Sequence, residues 1–141
     1  MAEEQLVTFS LGTEEFGVDI MLVQEIIRIP PITRVPKAPP YVVGVINLRG
    51  NVIPVVSLRN RFGMTSVEET DLSRIIVLQI KSKVFGIQVD AVTEVLRLDS
   101  EGIEPPPPIS LGIDSQFIRG VGKLGERLLI LLELDQIMGG D

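Results

Sequence analysis

The sequence predicts a mainly β protein built by internal duplication. Short runs of alternating apolar residues, bounded by glycine, proline and polar clusters, are typical of strands joined by turns. The letters of the first half recur in the second: Phe16-Gly17-Val18 matches Phe85-Gly86-Ile87, and Val55–Leu58 matches Leu131–Leu134. The offset between the copies grows from 69 to 76 residues, which indicates an insertion in the second copy.

The first copy should open with a hairpin and continue into a proline-rich crossover. Leu6–Leu11 and Phe16–Ile20 show the alternation of paired strands, and Met21–Ile29 fits a short turn followed by a strand. Five prolines between residues 30 and 40 predict an extended connection. Because proline is tolerated in a first helical turn, a short helix is also expected over residues 41–43.

The stretch Gly44–Leu58 is predicted to be a central hairpin. Gly50-Asn51 supplies residues that tolerate a positive φ at the reversal, which leaves Arg49 at the shoulder of the turn. An arginine there is either a solvated residue that protects an edge strand or a bidentate contact for a partner carboxylate. A single helical turn is expected over Leu58–Phe62, closed by Gly63.

The second copy repeats this order. Ile75–Ile80 and Val84–Val89 are predicted strands joined by a turn, and Leu128–Leu134 is apolar enough to be buried on both faces. A helical turn should follow over Asp135–Met138. The prolines at 105–108 fit a rigid connector better than a ligand for an aromatic groove.

The chain is expected to form one domain over residues 1–141, in two units. The repeat divides it approximately into 12–80 and 81–141, with the N-terminal strand a candidate for exchange between them. Units of this length are marginally stable alone, so each should bury an apolar face against the other. Two small barrels placed side by side leave a groove that suits a docked helix or an added strand.

Composition argues against several classes of function. A net charge of −6 and a pI near 4.7 oppose binding to nucleic acid and to anionic membranes. No apolar run approaches the roughly 20 residues of a membrane span, and the start MAEEQ lacks the basic residues of a secretory signal, so a cytoplasmic protein is expected. The absence of cysteine and histidine removes thiolate chemistry, the usual general base and the commonest metal ligands.

No catalytic or cofactor motif has adequate spacing. Ser57 and Ser110 have no histidine to activate them. The glycines of Gly120–Gly125 match the dinucleotide fingerprint, but a strand-like segment follows them instead of a helix, so a turn is favoured. The acidic loop at residues 68–71 could bind a hard cation, although a solvated loop fits better. We therefore expect no cofactor and no metal.

Two rival functions remain open. Glu25 and Glu94 occupy equivalent places in the two copies, as a carbohydrate-active enzyme with paired carboxylates would require. One Tyr, five Phe and no Trp are too few aromatics for a typical sugar cleft. A small barrel that binds single-stranded nucleic acid is the second rival, and the acidic pI disfavours it.

Three segments resemble the CheW family of bacterial chemotaxis coupling proteins. They are EEFGVDIMLVQEII, ITRVPKAPPYVVGVINLRGNVIPVVSL and VFGIQVDAVTEVL, and the arrangement GVxNLRGxxxPVxxL is the family's strongest signature. The resemblance implies two intertwined SH3-like β-barrels of about five strands each around a shared hydrophobic core. The short chain resembles the free-standing adaptor of this family more than its kinase-borne or receiver-linked forms.

The same resemblance implies a non-catalytic adaptor. It would hold the histidine kinase CheA to the cytoplasmic tips of chemoreceptors, within arrays at membrane-bound receptor clusters, without inserting into the membrane itself. The positions carried over for receptor or kinase contact are Val23, Glu25, Gly44 and Arg49. Candidates for a kinase-side contact are Ile75, Ile76, Gly120, Gly122 and Gly125.

Gly125 of the second copy stands where Arg49 stands in the first. If the repeat can build its hairpin without an arginine, the side chain of Arg49 is available for another purpose. This comparison favours a partner contact for Arg49.

Overall fold

The fold is mainly β in the computed structural model, which describes residues 2–106 and 112–138. Strands are β1 (Glu3–Leu11), β2 (Glu14–Asp19), β3 (Val23–Ile27), β4 (Val42–Leu48), β5 (Asn51–Ser57), β6 (Arg74–Ile80), β7 (Lys83–Val89), β8 (Ala91–Asp99), β9 (Ile103–Glu104), β10 (Ile118–Leu124) and β11 (Arg127–Leu132). A one-turn helix, α1, spans Leu58–Arg61, and short 3-10 turns span Ile20–Leu22, Ser100–Gly102, Ser115–Phe117 and Leu134–Gln136.

The predicted helix over residues 41–43 is wrong. The N–H of Val42 donates to the carbonyl of Pro39 at 2.9 Å, which closes a turn, and the chain then enters β4 directly. β-Branched residues fit this extended conformation, and Val42 pairs with Val56 of β5. The other predicted hairpins and short helical turns are confirmed, whereas Pro107, Pro108 and Ser110 lie outside the described residues.

The strands form two sheets that exchange their opening hairpins. One sheet has the order β8-β1-β2-β11-β10-β9 and the other β3-β6-β7-β5-β4. Hairpin β1–β2 of the first copy therefore lies among strands of the second copy, while β6–β7 lies among strands of the first. Parallel contacts join each exchanged hairpin to its host, Phe16 beside Ile130 in one sheet and Gly86 beside Val55 in the other.

Each sheet contains strands from both sides of residue 80, so neither predicted unit, 12–80 or 81–141, coincides with one sheet. The division of the repeat at residue 80 stays a prediction. Strand β1 pairs with β8 from Glu3 opposite Asp99 to Ser10 opposite Ala91. We refer to the sheet containing β1 as sheet A and to the sheet containing β6 as sheet B.

One hydrophobic core is shared by the two sheets, and each sheet has a smaller core of its own. Successive residues of a strand face opposite sides, so Ile76 joins the shared core while Ile75 joins the core of sheet B. In the same way Leu132 joins the shared core and Leu131 that of sheet A. The predicted class, two units of about five strands around a common core, is confirmed; β9 adds a sixth, two-residue strand to sheet A.

Candidate functional site

Glu25 and Arg49 form an ion pair across sheet B. Glu25 lies on β3, one edge of the sheet, and Arg49 lies in the turn between β4 and β5 at the other edge. Nη2 of Arg49 donates to Oε2 of Glu25. The arginine side chain is 71% exposed and that of Glu25 is 26% exposed. Such an exposed pair contributes only about 0–1 kcal/mol to stability and leaves most of the guanidinium accessible to a partner.

The turn that carries Arg49 differs from the predicted one by one residue. Arg49 and Gly50 have φ values of +51° and +87°, and Asn51 already pairs with Leu48 as the first residue of β5. Two-residue hairpin turns with positive φ at both positions prefer asparagine or aspartate before the glycine. The side-chain oxygen of Asn47 supports the turn by accepting from the N–H of Gly50 at 2.8 Å. Arg49 thus occupies a backbone conformation that disfavours it.

Sheet A contains a counterpart of the Glu25–Arg49 pair. Nη2 of Arg127 donates to carboxylate oxygens of Glu94 and Glu15, both at 2.9 Å. The hydrogen bonds that Arg127 donates to Glu15 and Glu94 raise its pKa, with Glu15 as the larger cause. The inference that the second copy dispenses with an arginine is therefore corrected: its arginine lies two residues after Gly125. The partner role of Arg49 stays a prediction.

Two glycines among the predicted contact residues have a packing reason to be glycine. A Cβ on Gly44 would lie 2.2 Å from the carbonyl oxygen of Thr33, in the crossover segment that bridges to Val45. A Cβ on Gly120 would lie 2.8 Å from the carbonyl oxygen of Glu104 in β9. Each sits at an irregularity in its strand pairing, where a neighbouring backbone crosses closely.

The remaining predicted residues divide into buried and exposed ones. Ile75 and Ile76 have no exposed surface, and Gly122 is also buried. A Cβ on Gly122 would lie 2.4 Å from Cδ2 of Leu98, so a larger residue would not fit there. Gly125 lies in an exposed turn with φ +62°, and β11 follows it, so the glycines of this stretch do not open a helix. Val23 is half-buried and packs against the shared core.

An open pocket of about 460 Å³ lies where the two sheets meet. Its apolar lining is Ile80, Phe85, Leu134 and Met138; its polar lining is Lys81, Ser82, Lys83, Asp135 and Gln136. Residues 80–85 of the lining belong to the β6–β7 hairpin of sheet B. Residues 134–138 belong to the C-terminal segment that follows β11 of sheet A. We call this feature the seam pocket.

Arg59 and Asp90, neither of which the sequence analysis singled out, join the turn of the β1–β2 hairpin to the segment that follows β5. Asp90 is the one residue between β7 of sheet B and β8 of sheet A. Its carboxylate accepts from Arg59 and from the N–H of Gly12, at the tip of the β1–β2 hairpin. The hydrogen bond from Arg59 is the main reason that the pKa of Asp90 lies below its usual value.

The described residues contain no group of three or more acidic side chains placed to hold a metal ion. Glu25 and Glu94 lie in different sheets, and each is paired with its own arginine. No helix in the described part of the chain is long and apolar enough to cross a membrane.

The chain is similar to known proteins in both sequence and fold. The family model for the CheW-like domain matches residues 5–140. The chemotaxis protein CheW of Rhizobium meliloti is 44% identical over 133 residues, covering 94% of this chain and 86% of the relative. The chemotaxis protein CheW of Klebsiella aerogenes is 37% identical over 138 residues, covering 98% and 83%. The crystal structure of the scaffolding protein TtCheW from Thermoanaerobacter tengcongensis has a TM-score of 0.92 and 38% identity, covering 99% and 97%.

Proposed function

Because this chain belongs to the CheW family of chemotaxis scaffolding proteins, we propose that it holds the histidine kinase CheA to the cytoplasmic tips of chemoreceptors. The observation that carries this proposal is the family match over residues 5–140. It is supported by relatives named as chemotaxis proteins and by a structural neighbour described as a scaffolding protein. The chain would act without catalysis, in the cytoplasm, after recruitment to receptor clusters.

We propose the seam pocket as the place where a receptor helix docks. Receptor tips are expected to be antiparallel helical hairpins, and an amphipathic helix needs an apolar surface with a polar rim. Phe85 and Leu134 lie buried beneath the pocket and Met138 is its half-buried apolar residue, while Lys81 and Asp135 supply charges of both signs.

The partner contacts expected around Arg49 remain proposals, and geometry favours some of them over others. Arg49 and Glu25 expose charged atoms that a partner can reach, and Val23 lies two residues from Glu25 on the same edge strand. Gly44 would act through the backbone shape of β4, because it has no side chain to offer.

On the kinase side, Gly125 is the best-placed of the proposed positions because its turn is exposed. The side chains of Ile75 and Ile76 are fully buried, so they would influence such a contact through the packing of β6. Gly120 and Gly122 would likewise set the path of β10 and thereby the position of the Gly125 turn.

A three-component pull-down tests the proposed function. Immobilised receptor signalling tips are incubated with CheA, with and without this chain, at low and moderate salt. We expect retention of CheA to require the chain. Absence of binding to both the tips and CheA at either salt concentration would contradict the adaptor function.

A further inference from the structure

The basic residues of this chain are concentrated in one segment. Residues 26–67 contain six of the 13 basic residues and none of the 19 acidic residues. Because the whole chain has a net charge of −6, this segment is a local region of positive charge on an acidic protein. The contacts of each basic side chain determine where that charge remains available.

Three of the six cations are engaged within the protein. Arg49 pairs with Glu25, Arg59 pairs with Asp90, and Arg61 donates to the carbonyls of Gln136 and Ile137 while lying over the ring of Tyr41. The other three, Arg28, Arg34 and Lys37, are exposed, and their side chains make no ion pair or hydrogen bond within the described residues.

The surroundings of these three cations differ. Arg28 lies beside a pocket that is also lined by Glu69 and Asp71, so acidic residues of the chain are nearby. Arg34 and Lys37 line a different pocket, to which no acidic residue contributes. Arg34 and Lys37 therefore have no acidic neighbour in the lining of their own pocket, and Glu68 and Glu69 line the adjoining pocket beyond Asn60.

This second pocket, which we call the crossover pocket, combines the two cations with an apolar surface. It is an open depression of about 590 Å³. Its other lining residues are Ile32, Val35, Pro36, Ala38, Pro39, Pro40, Val42, Val43 and Asn60. Val35 is 43% exposed, and the prolines have no N–H to donate. A ligand here meets cationic side chains beside rigid hydrocarbon.

The backbone at Lys37 is in a conformation that disfavours lysine. The N–H of Ala38 lies 3.4 Å from the carbonyl of Val35, with Pro36 at the second position of this turn and Lys37 at the third. Lys37 has φ +64°, and turns of this kind prefer glycine or asparagine at that position. A strained residue at an exposed pocket points to a function for its charge beyond forming the turn.

We infer that the crossover pocket binds an extended acidic segment of a protein partner, in which carboxylates flank an apolar side chain. Carboxylates match the guanidinium of Arg34 and the ammonium of Lys37 through charge-assisted hydrogen bonds. The flanked apolar side chain packs on Val35 and the neighbouring prolines. This site shares no lining residue with the seam pocket and does not depend on the proposed receptor coupling.

A short acidic peptide fits the surface better than a long polyanion. Nucleic acids bind through many phosphate contacts along an extended basic surface. Here two cations flank a pocket on a protein of net charge −6, so longer polyanions would meet repulsion outside the pocket.

Fluorescence anisotropy with a defined probe tests this inference. The probe is a labelled, end-blocked peptide GDEFEDG, and the comparison peptide is GNQFQNG, which has amides in place of the carboxylates. We expect the acidic probe to bind the wild type and the amide peptide to bind at least tenfold more weakly. The double variant Arg34→Gln/Lys37→Gln should also bind the acidic probe at least tenfold more weakly, whereas Arg28→Gln, the control with an exposed cation outside the pocket, should bind it normally.

Two substitutions of Lys37 separate its charge from its backbone conformation. Lys37→Gly should raise the thermal midpoint, because glycine relieves the positive φ, and should weaken probe binding. Lys37→Arg should retain binding. The inference is overturned if wild type fails to bind the acidic probe, if the double variant binds it equally, or if a 12-nucleotide oligothymidylate binds more tightly than the peptide. Thermal melts confirm that each variant is folded.

Discussion

The guanidinium of Arg59 donates to both carboxylate oxygens of Asp90, from Nε to Oδ1 at 2.9 Å and from Nη2 to Oδ2 at 2.5 Å. Arg59 lies on α1, which follows the last strand of the first copy in sheet B, while Asp90 lies where the chain crosses into sheet A. Gly12 of sheet A adds a third hydrogen bond, at 2.7 Å. These three hydrogen bonds to Asp90 join the two sheets along one seam. The side chain of Arg59 is only 15% exposed there.

Asp90→Asn should lower the free energy of unfolding by about 1–3 kcal/mol, because a partly buried arginine loses its charge-assisted partner. Urea denaturation measures the change. The matched control is Glu104→Gln, which removes the pair with Lys123, whose two side chains are more than half exposed. That control should change stability by less than about 1 kcal/mol. Equal effects of the two substitutions would contradict a special role for the Asp90 network.

Acid should remove the contribution of Asp90. The pKa of this carboxyl is lower in the folded protein than its usual value, chiefly because Arg59 donates to it. A depressed carboxyl pKa stabilises the fold above about pH 4, and that stabilisation is lost as the pH falls through the folded pKa. The difference in unfolding free energy between wild type and Asp90→Asn should therefore be full at neutral pH and shrink below about pH 4. Urea titrations across this range measure it; a constant difference would refute the assignment.

Gly44→Ala should destabilise the protein by about 3–5 kcal/mol, because the new methyl group would overlap the carbonyl oxygen of Thr33. Gly63→Ala is the control: Gly63 has φ +75°, but open space surrounds the position of a Cβ. Only backbone strain remains there, at about 1 kcal/mol. Thermal or urea denaturation distinguishes the two effects, and similar losses would show that the close approach at Gly44 relaxes easily.

Arg49→Ala should weaken formation of the ternary complex with receptor tips and CheA while leaving the thermal midpoint nearly unchanged. Arg49→Gly should weaken it equally and raise stability by up to about 1 kcal/mol, because glycine accepts the positive φ. Pull-down and thermal melts are measured on the same samples. A large loss of stability in the alanine variant would assign Arg49 a structural role.

A charge exchange refines the role of Arg49. If the ion pair itself is what a partner requires, Glu25→Arg combined with Arg49→Glu should restore binding that either single substitution loses. If the partner contacts the guanidinium directly, the double variant should remain defective.

Ser82→Trp should block receptor tips from the seam pocket, because Ser82 lies at the tip of the β6–β7 hairpin that forms one wall. Thr13→Trp is the matched control at the corresponding exposed turn of the β1–β2 hairpin, where the N–H of Gly12 donates to Asp90. We expect at least a tenfold loss of tip binding for the first variant and little change for the second. Equal binding by both variants and wild type would exclude the seam pocket as the docking site.

Local patterns are sufficient to predict the hairpins and the crossover, because alternation and turn residues report on neighbours in sequence, whereas the shared core was implied by the family resemblance. They could not predict which strands pair: Leu6 faces Leu96, and nothing near either residue records that register. The Arg127–Glu15 pair of sheet A depends on the exchange of the hairpins, since Arg127 donates to a residue 112 positions earlier in the chain. The sequence pattern places the turn near Arg49 at Gly50-Asn51, one residue later than the structure does, because asparagine tolerates a positive φ better than arginine.

During synthesis on the ribosome, the β1–β2 hairpin must wait for its pairing partners, because they lie in the second half of the chain. Strand β1 has no second neighbour until Asp99 has emerged, and β2 waits for Ile130 of β11. During that interval Phe9 and Phe16, fully buried in the finished protein, have only part of their packing available. Such long-range pairing slows folding and prolongs exposure of apolar surface to other chains. Nascent chains that stop before β11 should therefore depend on chaperones and aggregate without them.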